Sequence, residues 1–155
     1  MARHPNPTIE LLRKLPALKA YDDRSLAKLA RLVDVVDLDE GAPLTLEGKA
    51  GRESFLIAEG WAEVSLRGET VATLGPGQFV GEMAMLDHQP RTATVTARTP
   101  MKLVVIGPKE FATFMADPAV SRAMATELTE RLRRVEDAPT WASAHAGAPG
   151  SPGRQ

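Results

Sequence analysis

The hydrophobic period of this chain changes twice, and each change marks a different kind of element. Between Pro7 and Leu15 the apolar residues Ile9, Leu11, Leu12 and Leu15 fall into one stripe, which predicts a short helix. Asp22 or Asp23 can cap a second helix that carries Leu26, Leu29, Ala30 and Val33 on one face. From Val35 onward the helical period is lost, and short apolar pieces follow one another, cut at Gly41, Gly48, Gly60, Gly68, Gly75 and Gly77. After Gly107 and Pro108 the helical period returns. Lys109 to Met115 predicts a short helix with Phe111 and Phe114, Pro118 interrupts it, and Val120 to Glu136 predicts a longer one. The stripe of that last helix is Val120, Met124, Leu128, Leu132 and Val135, and its first three members are expected to pack it onto the strands.

The middle pieces read as strands. In Ala62 to Leu66 the small and apolar residues share one face, Arg67-Gly68-Glu69 supplies a hairpin turn, and Thr70 to Leu74 returns. Thr92 to Ala97 alternates, with Ala93, Val95 and Ala97 opposite the threonines, while Leu103 to Ile106 is apolar throughout and fits a strand covered on both sides. Brief strands between evenly spaced turn signals predict an antiparallel β-roll of the jelly-roll (double-stranded β-helix) kind, flanked by N-terminal helices and a C-terminal helix. The fold class is therefore α+β, mainly β. The expected segments are an N-terminal helical stretch over 1–34, the roll over 35–107, C-terminal helices over 108–137 and a tail over 138–155. That tail is rich in Ala, Gly, Pro and Ser, a composition that predicts disorder.

Composition narrows the chemistry. A length of 155 residues suits one domain with a real core. The net charge of −1, with both signs interspersed, offers neither a nucleic-acid footprint nor a membrane-binding surface. The absence of Cys excludes disulfides, thiol catalysis and Cys-based zinc sites. No stretch reaches membrane-spanning length and the N-terminus has no continuous apolar core of a leader, so a cytoplasmic location is expected. His4, His88 and His145 lie in segments that read as loops or termini, so no metal site and no catalytic residue is expected, and the protein is not expected to be an enzyme. A metal-binding cupin would need clustered His and Glu ligands.

The run from Gly77 to Ala97, GQFVGEMAMLDHQPRTATVTA, brings the candidate chemistry together. Phe79 to Glu82 closes an apolar run, Met83 to Leu86 can wind one helical turn, and Pro90-Arg91 leads into a strand. Unpaired N–H groups at the start of a short helix attract an anion. Gly81 lets backbone approach closely, having no Cβ. Arg91 supplies a planar fork of donors for two anionic oxygens, and Glu82 can accept from a hydroxyl. Acid and Arg together specify a compact ligand with a negative charge and a hydroxyl.

In these residues the chain resembles the cyclic nucleotide-binding domain family, whose phosphate-binding cassette reads Gly-Glu, a small-apolar helical turn, a short loop, then Arg and an Ala/Thr/Val strand. The matching residues are Gly81-Glu82, Met83-Ala84-Met85-Leu86, Asp87 to Pro90, and Arg91-Thr92-Ala93-Thr94-Val95, within a likeness that runs from about Leu15 to Glu136. The resemblance implies that Glu82 holds the ribose 2′-hydroxyl, that Arg91 binds the cyclic phosphate, and that backbone N–H groups near Gly81, Glu82, Ala84 and Thr92 complete the cradle. Met83 and Ala93 belong to the same ligand-binding set, and Val80 is a candidate pocket residue. Family members move the helix after the roll when nucleotide binds, which makes Leu132, Val135 or Trp141 candidate lids over the base.

The expected ligand is cAMP, with cGMP as the alternative, since Thr92 stands where cAMP-selective members often have Ala. A second alternative is a ligand-free structural or interaction module that keeps the roll. Transcription regulators of the catabolite-activator type share the Gly77 to Glu82 run but continue into a helix-turn-helix domain, whereas this chain runs into its tail. No DNA-binding domain, membrane association or cofactor is therefore expected. A stand-alone sensor or a fragment is expected instead, with a protein partner or a second copy meeting the C-terminal helix.

Overall fold

A computed structural model describes residues 6–49, 51–81, 91 and 93–136, the side chains of residues 134–136 apart. Two compact units divide between Ser121 and Arg122. In chain order the elements are α1 (Pro7–Arg13), a 3-10 turn (Pro16–Leu18), α2 (Asp23–Ala30), β1 (Asp34–Leu38), β2 (Pro43–Thr45), β3 (Ser54–Glu59), β4 (Ala62–Leu66), β5 (Glu69–Leu74), β6 (Phe79–Val80), β7 (Thr94–Ala97), β8 (Met101–Ile106), α3 (Pro108–Met115) and α4 (Pro118–Glu136).

Local chemistry sets the helix ends. The Asn6 side chain accepts from the N–H groups of Thr8 and Ile9, and Pro7 opens α1. The helix stops at Arg13, two residues short of the Leu15 its apolar stripe suggests. Pro16 is the cause: the residue before a proline is pushed out of the α region, and Leu15 is extended at φ −73° and ψ 130°. Of the two candidate caps for α2 it is Asp22 that accepts from the Ser25 N–H, at 2.9 Å. Leu26 and Leu29 are buried as expected, whereas Val33 lies beyond the last helical residue, Ala30, and is buried from the approach to β1. Pro118 opens α4 rather than merely interrupting a helix, a position where its missing N–H costs nothing.

The strands form two antiparallel four-stranded sheets, ordered β1-β8-β3-β6 and β2-β7-β4-β5. This is the mainly β, α+β architecture that the alternation predicts. Arg67 and Gly68 have φ of 53° and 85°, the left-handed pair that a two-residue hairpin between β4 and β5 needs. Ala62 is buried and Val64 partly so, but Leu66, at the turn end of the same face, remains 40% exposed. A hydrophobic cluster of Ile57, Ala62, Leu74, Val80, Val95, Ala97, Met101, Leu103 and Val105 draws on both sheets. Arg98, just after β7, pairs with Glu63 of β4, its Nε donating to Oε1 at 2.9 Å.

Two side-chain bonds tie the links between the N-terminal helices to distant parts of the first unit. Lys14 Nζ donates to Glu59 at 3.4 Å, and the Tyr21 hydroxyl donates to Asp117 at 2.7 Å. In the second unit, Arg131 and Glu127 form an ion pair one helical turn apart at 2.5 Å.

Candidate functional site

The connection from β6 to β7 leaves the edge of one sheet and enters the interior of the other, and Arg91 lies near its far end. Arg91 is 8% exposed. Its Nη1 donates to the carbonyl of Gly81 at 2.9 Å, which joins the two ends of the connection. Its Nη2 donates to the carbonyl of Glu53. The backbone is pinned as well: Gly48 N–H donates to the Arg91 carbonyl and Arg91 N–H to the Lys49 carbonyl, each at 2.9 Å. The stretch between β2 and β3, which also crosses between sheets, therefore holds Arg91 by main chain and side chain together.

Two glycines give the guanidinium its room. A Cβ at Gly51 would stand 1.8 Å from Nε and 2.0 Å from Cζ of Arg91. A Cβ at Gly81 would stand 2.4 Å from Nη1, and Gly81 also has a left-handed φ of 83°. The bare backbone of both residues thus packs on the guanidinium. Hydrogen bonds to carbonyl oxygens orient such a group, and a guanidinium is a planar fork of donors of the kind that pairs with carboxylate or phosphate oxygens.

Gly81 and Arg91, ten residues apart in the sequence, are brought into direct contact. Ala93 is partly buried just before β7, and Val80 is 4% exposed within the hydrophobic cluster beside the site. Leu132 is 59% exposed on α4. Glu82, Met83, Ala84, Thr92 and Trp141 lie outside the described residues, as does the side chain of Val135. Gly51 and the carbonyl of Glu53 are not among the residues that sequence reasoning selects. The one signal was a second glycine three residues after Gly48 in Glu47-Gly48-Lys49-Ala50-Gly51, which reads as ordinary loop composition. Among the described residues no group of three or more His, Asp or Glu could hold a metal ion, and no helix is long and apolar enough to cross a membrane.

The family described as "Cyclic nucleotide-binding domain" matches residues 35–117, more than half of the chain. The chain belongs to the cyclic nucleotide-binding domain family. Its curated relatives include two regulatory subunits of cAMP-dependent protein kinase. That of Yarrowia lipolytica is 37% identical over 102 residues, covering 64% of this chain and 27% of the relative. That of Eremothecium gossypii is 37% identical over 103 residues, covering 66% of this chain and 22% of the relative. The chain thus spans about a quarter of the length of these relatives. Among solved structures, a cAMP-binding acyltransferase from Mycobacterium smegmatis superposes with a TM-score of 0.74 at 25% identity, over 83% of this chain and 41% of that one. As a cyclic nucleotide-binding domain, the chain carries Arg91 in the β6–β7 connection, inside the matched segment.

Proposed function

We propose that this domain binds a cyclic purine nucleotide, cAMP in preference to cGMP, with the cyclic phosphate on Arg91. The observation that carries the reading is the buried Arg91 guanidinium, aimed by the carbonyls of Gly81 and Glu53 and packed on two bare glycines. Glu82 takes the ribose 2′-hydroxyl, and Gly81, Met83, Ala84, Thr92 and Ala93 shape the cradle, with Val80 beneath it. The cAMP named in the relatives supports the choice of base.

Binding is regulatory in this reading, and the domain performs no catalysis of its own. Occupancy shifts the position of α4, whose residues Leu132 and Val135, or Trp141 beyond it, cover the base. A ligand moves such an element only if it favours one position over another. The output is contact with a protein partner or a second copy through α4, in the cytoplasm.

A thermal-shift panel tests the proposal. Ligand at a hundredfold excess over Kd stabilises the native state by about 2.7 kcal/mol. A clear rise in Tm is expected with cAMP, a smaller one with cGMP, and none with adenosine, which lacks the phosphate. Absence of any rise with both cyclic nucleotides at saturating concentration would leave a ligand-free interaction module as the better reading. A larger rise with cGMP would reverse the base preference.

A further inference from the structure

Tyr21 sits just ahead of α2, its N–H bonded to the Leu18 carbonyl of the 3-10 turn at 3.1 Å. Its hydroxyl reaches 96 residues along the chain to Asp117 Oδ1, at 2.7 Å. That same oxygen accepts from the N–H groups of Ala119 at 3.0 Å and Val120 at 3.1 Å, two of the unpaired donors that open α4. Three donors therefore converge on one carboxylate oxygen. Two come from the first turn of α4 and the third from the link between the 3-10 turn and α2. Pro118, between the cap and the capped residues, contributes no donor of its own.

We infer that Tyr21 and Asp117 form a latch that fixes where α4 begins. Asp117 alone can cap the helix, but its side chain can rotate about χ1 and release the first turn. The tyrosine hydroxyl holds the carboxylate in the capping orientation, so the link ahead of α2 and the start of α4 share one contact. With the latch closed, α4 starts at Pro118; with it open, the turn at Ala119 and Val120 is free to unwind and the helix to re-aim. The link of this latch to nucleotide rests on the proposed movement of α4, whereas the latch itself does not.

The test pairs amide hydrogen exchange with calorimetry on the full chain. Tyr21→Phe removes only the hydroxyl and should speed exchange at Ala119 and Val120 on the order of tenfold, the size expected for loss of one bond to a charged group. Leu103 and Val104 of β8 should keep their protection, which shows that the fold is intact. Asp117→Asn keeps a side-chain oxygen that can cap and accept, so its effect should be smaller than that of Asp117→Ala. Unchanged exchange at Ala119 and Val120 in Tyr21→Phe would overturn the latch. A severalfold change in cAMP affinity in Tyr21→Phe is expected as well. If exchange rises while affinity stays put, the link to nucleotide is wrong. If the parent protein itself binds no cAMP, the proposed function falls and the exchange result still decides the latch.

Discussion

The Cα of Gly51 faces the guanidinium of Arg91 so closely that a Cβ added there would lie 1.8 Å from Nε. Gly51 does not have a left-handed backbone, so Ala is permitted there by conformation and fits only if the Arg91 guanidinium moves away.

Gly51→Ala should therefore displace the guanidinium, lowering cAMP affinity about tenfold or more while costing about 1–3 kcal/mol of stability, the usual range for overpacking. Gly41→Ala makes the complementary control. Gly41 has a φ of 91° and nothing within 4 Å of an added Cβ, so the change strains the backbone without touching the site. It should cost about 1–2 kcal/mol in a denaturant titration and leave affinity unchanged. Equal affinity losses in both variants would show that Gly51 acts only through global stability.

Arg91→Ala should weaken cAMP binding by roughly 2–5 kcal/mol, the cost of removing one partner of a hydrogen-bonded charge pair. That corresponds to about 30-fold to several thousand-fold in Kd. Arg91→Lys keeps the charge but cannot bond the Gly81 and Glu53 carbonyls through one planar group, so it should fall between parent and Ala in calorimetry. Parent-like binding by Arg91→Ala would remove the phosphate from this residue.

The pH dependence of stability should have an acidic limb with identifiable sources. The Arg98 guanidinium, by hydrogen bond and then by charge, holds the Glu63 carboxyl below its ordinary range, and the Ser25 N–H does the same for Asp22. For groups lowered on folding, the stabilisation is complete above the unfolded pKa, near 4 for a carboxyl, and is lost as pH falls through the lower folded value. Lys102 is raised by its hydrogen bond to Asp37 and by the charge of that carboxylate, so its contribution is present below its unfolded pKa and disappears only as pH rises through the higher folded value. Glu63→Gln should flatten the urea midpoint between pH 5 and pH 3, and 1 M salt should shrink the difference between parent and variant. An acid limb as steep in Glu63→Gln as in the parent would remove this pair from the account.

The hairpin between β4 and β5 offers a gain instead of a loss. Arg67 holds a φ of 53° with a side chain that disfavours it. Asn tolerates that conformation better. Arg67→Asn should raise stability by up to about 1 kcal/mol, seen as a higher denaturant midpoint at constant m-value, while the Arg67 backbone bond to Glu47 persists. A lower midpoint would mean that the Arg side chain contributes more than the strain it imposes.

The sequence made the roll legible through a few strong local signals. Alternation from Thr94 to Ala97, an unbroken apolar run in β8 and the Arg67-Gly68 turn each have one cheap structural solution. Helix limits were less legible where a neighbour overrode the pattern. Leu15 belongs to the stripe of α1 and is excluded from the helix by Pro16 alone. Within the candidate site, Arg91 and Gly81 could be chosen because the cassette gives their residue types a chemical reason. Gly51 and the Glu53 carbonyl could not, since they act through bare backbone contributed by a stretch about forty residues upstream. The same holds for Tyr21 and Asp117, whose types are common and whose meeting depends on the complete topology.

That topology sets β1 beside β8, with Asp34 opposite Val105 and Leu38 opposite Met101. The chain therefore comes into the roll and goes out of it at the same corner, through the two strands of one ladder. Tension between α2 and α3 would load this ladder as a zipper and not in shear, parting the Asp34–Val105 rung first and Leu38–Met101 last. Along that line the rungs would open one at a time, and the strand that a tug on the flanking helices would peel is β1, at the outer edge of its sheet.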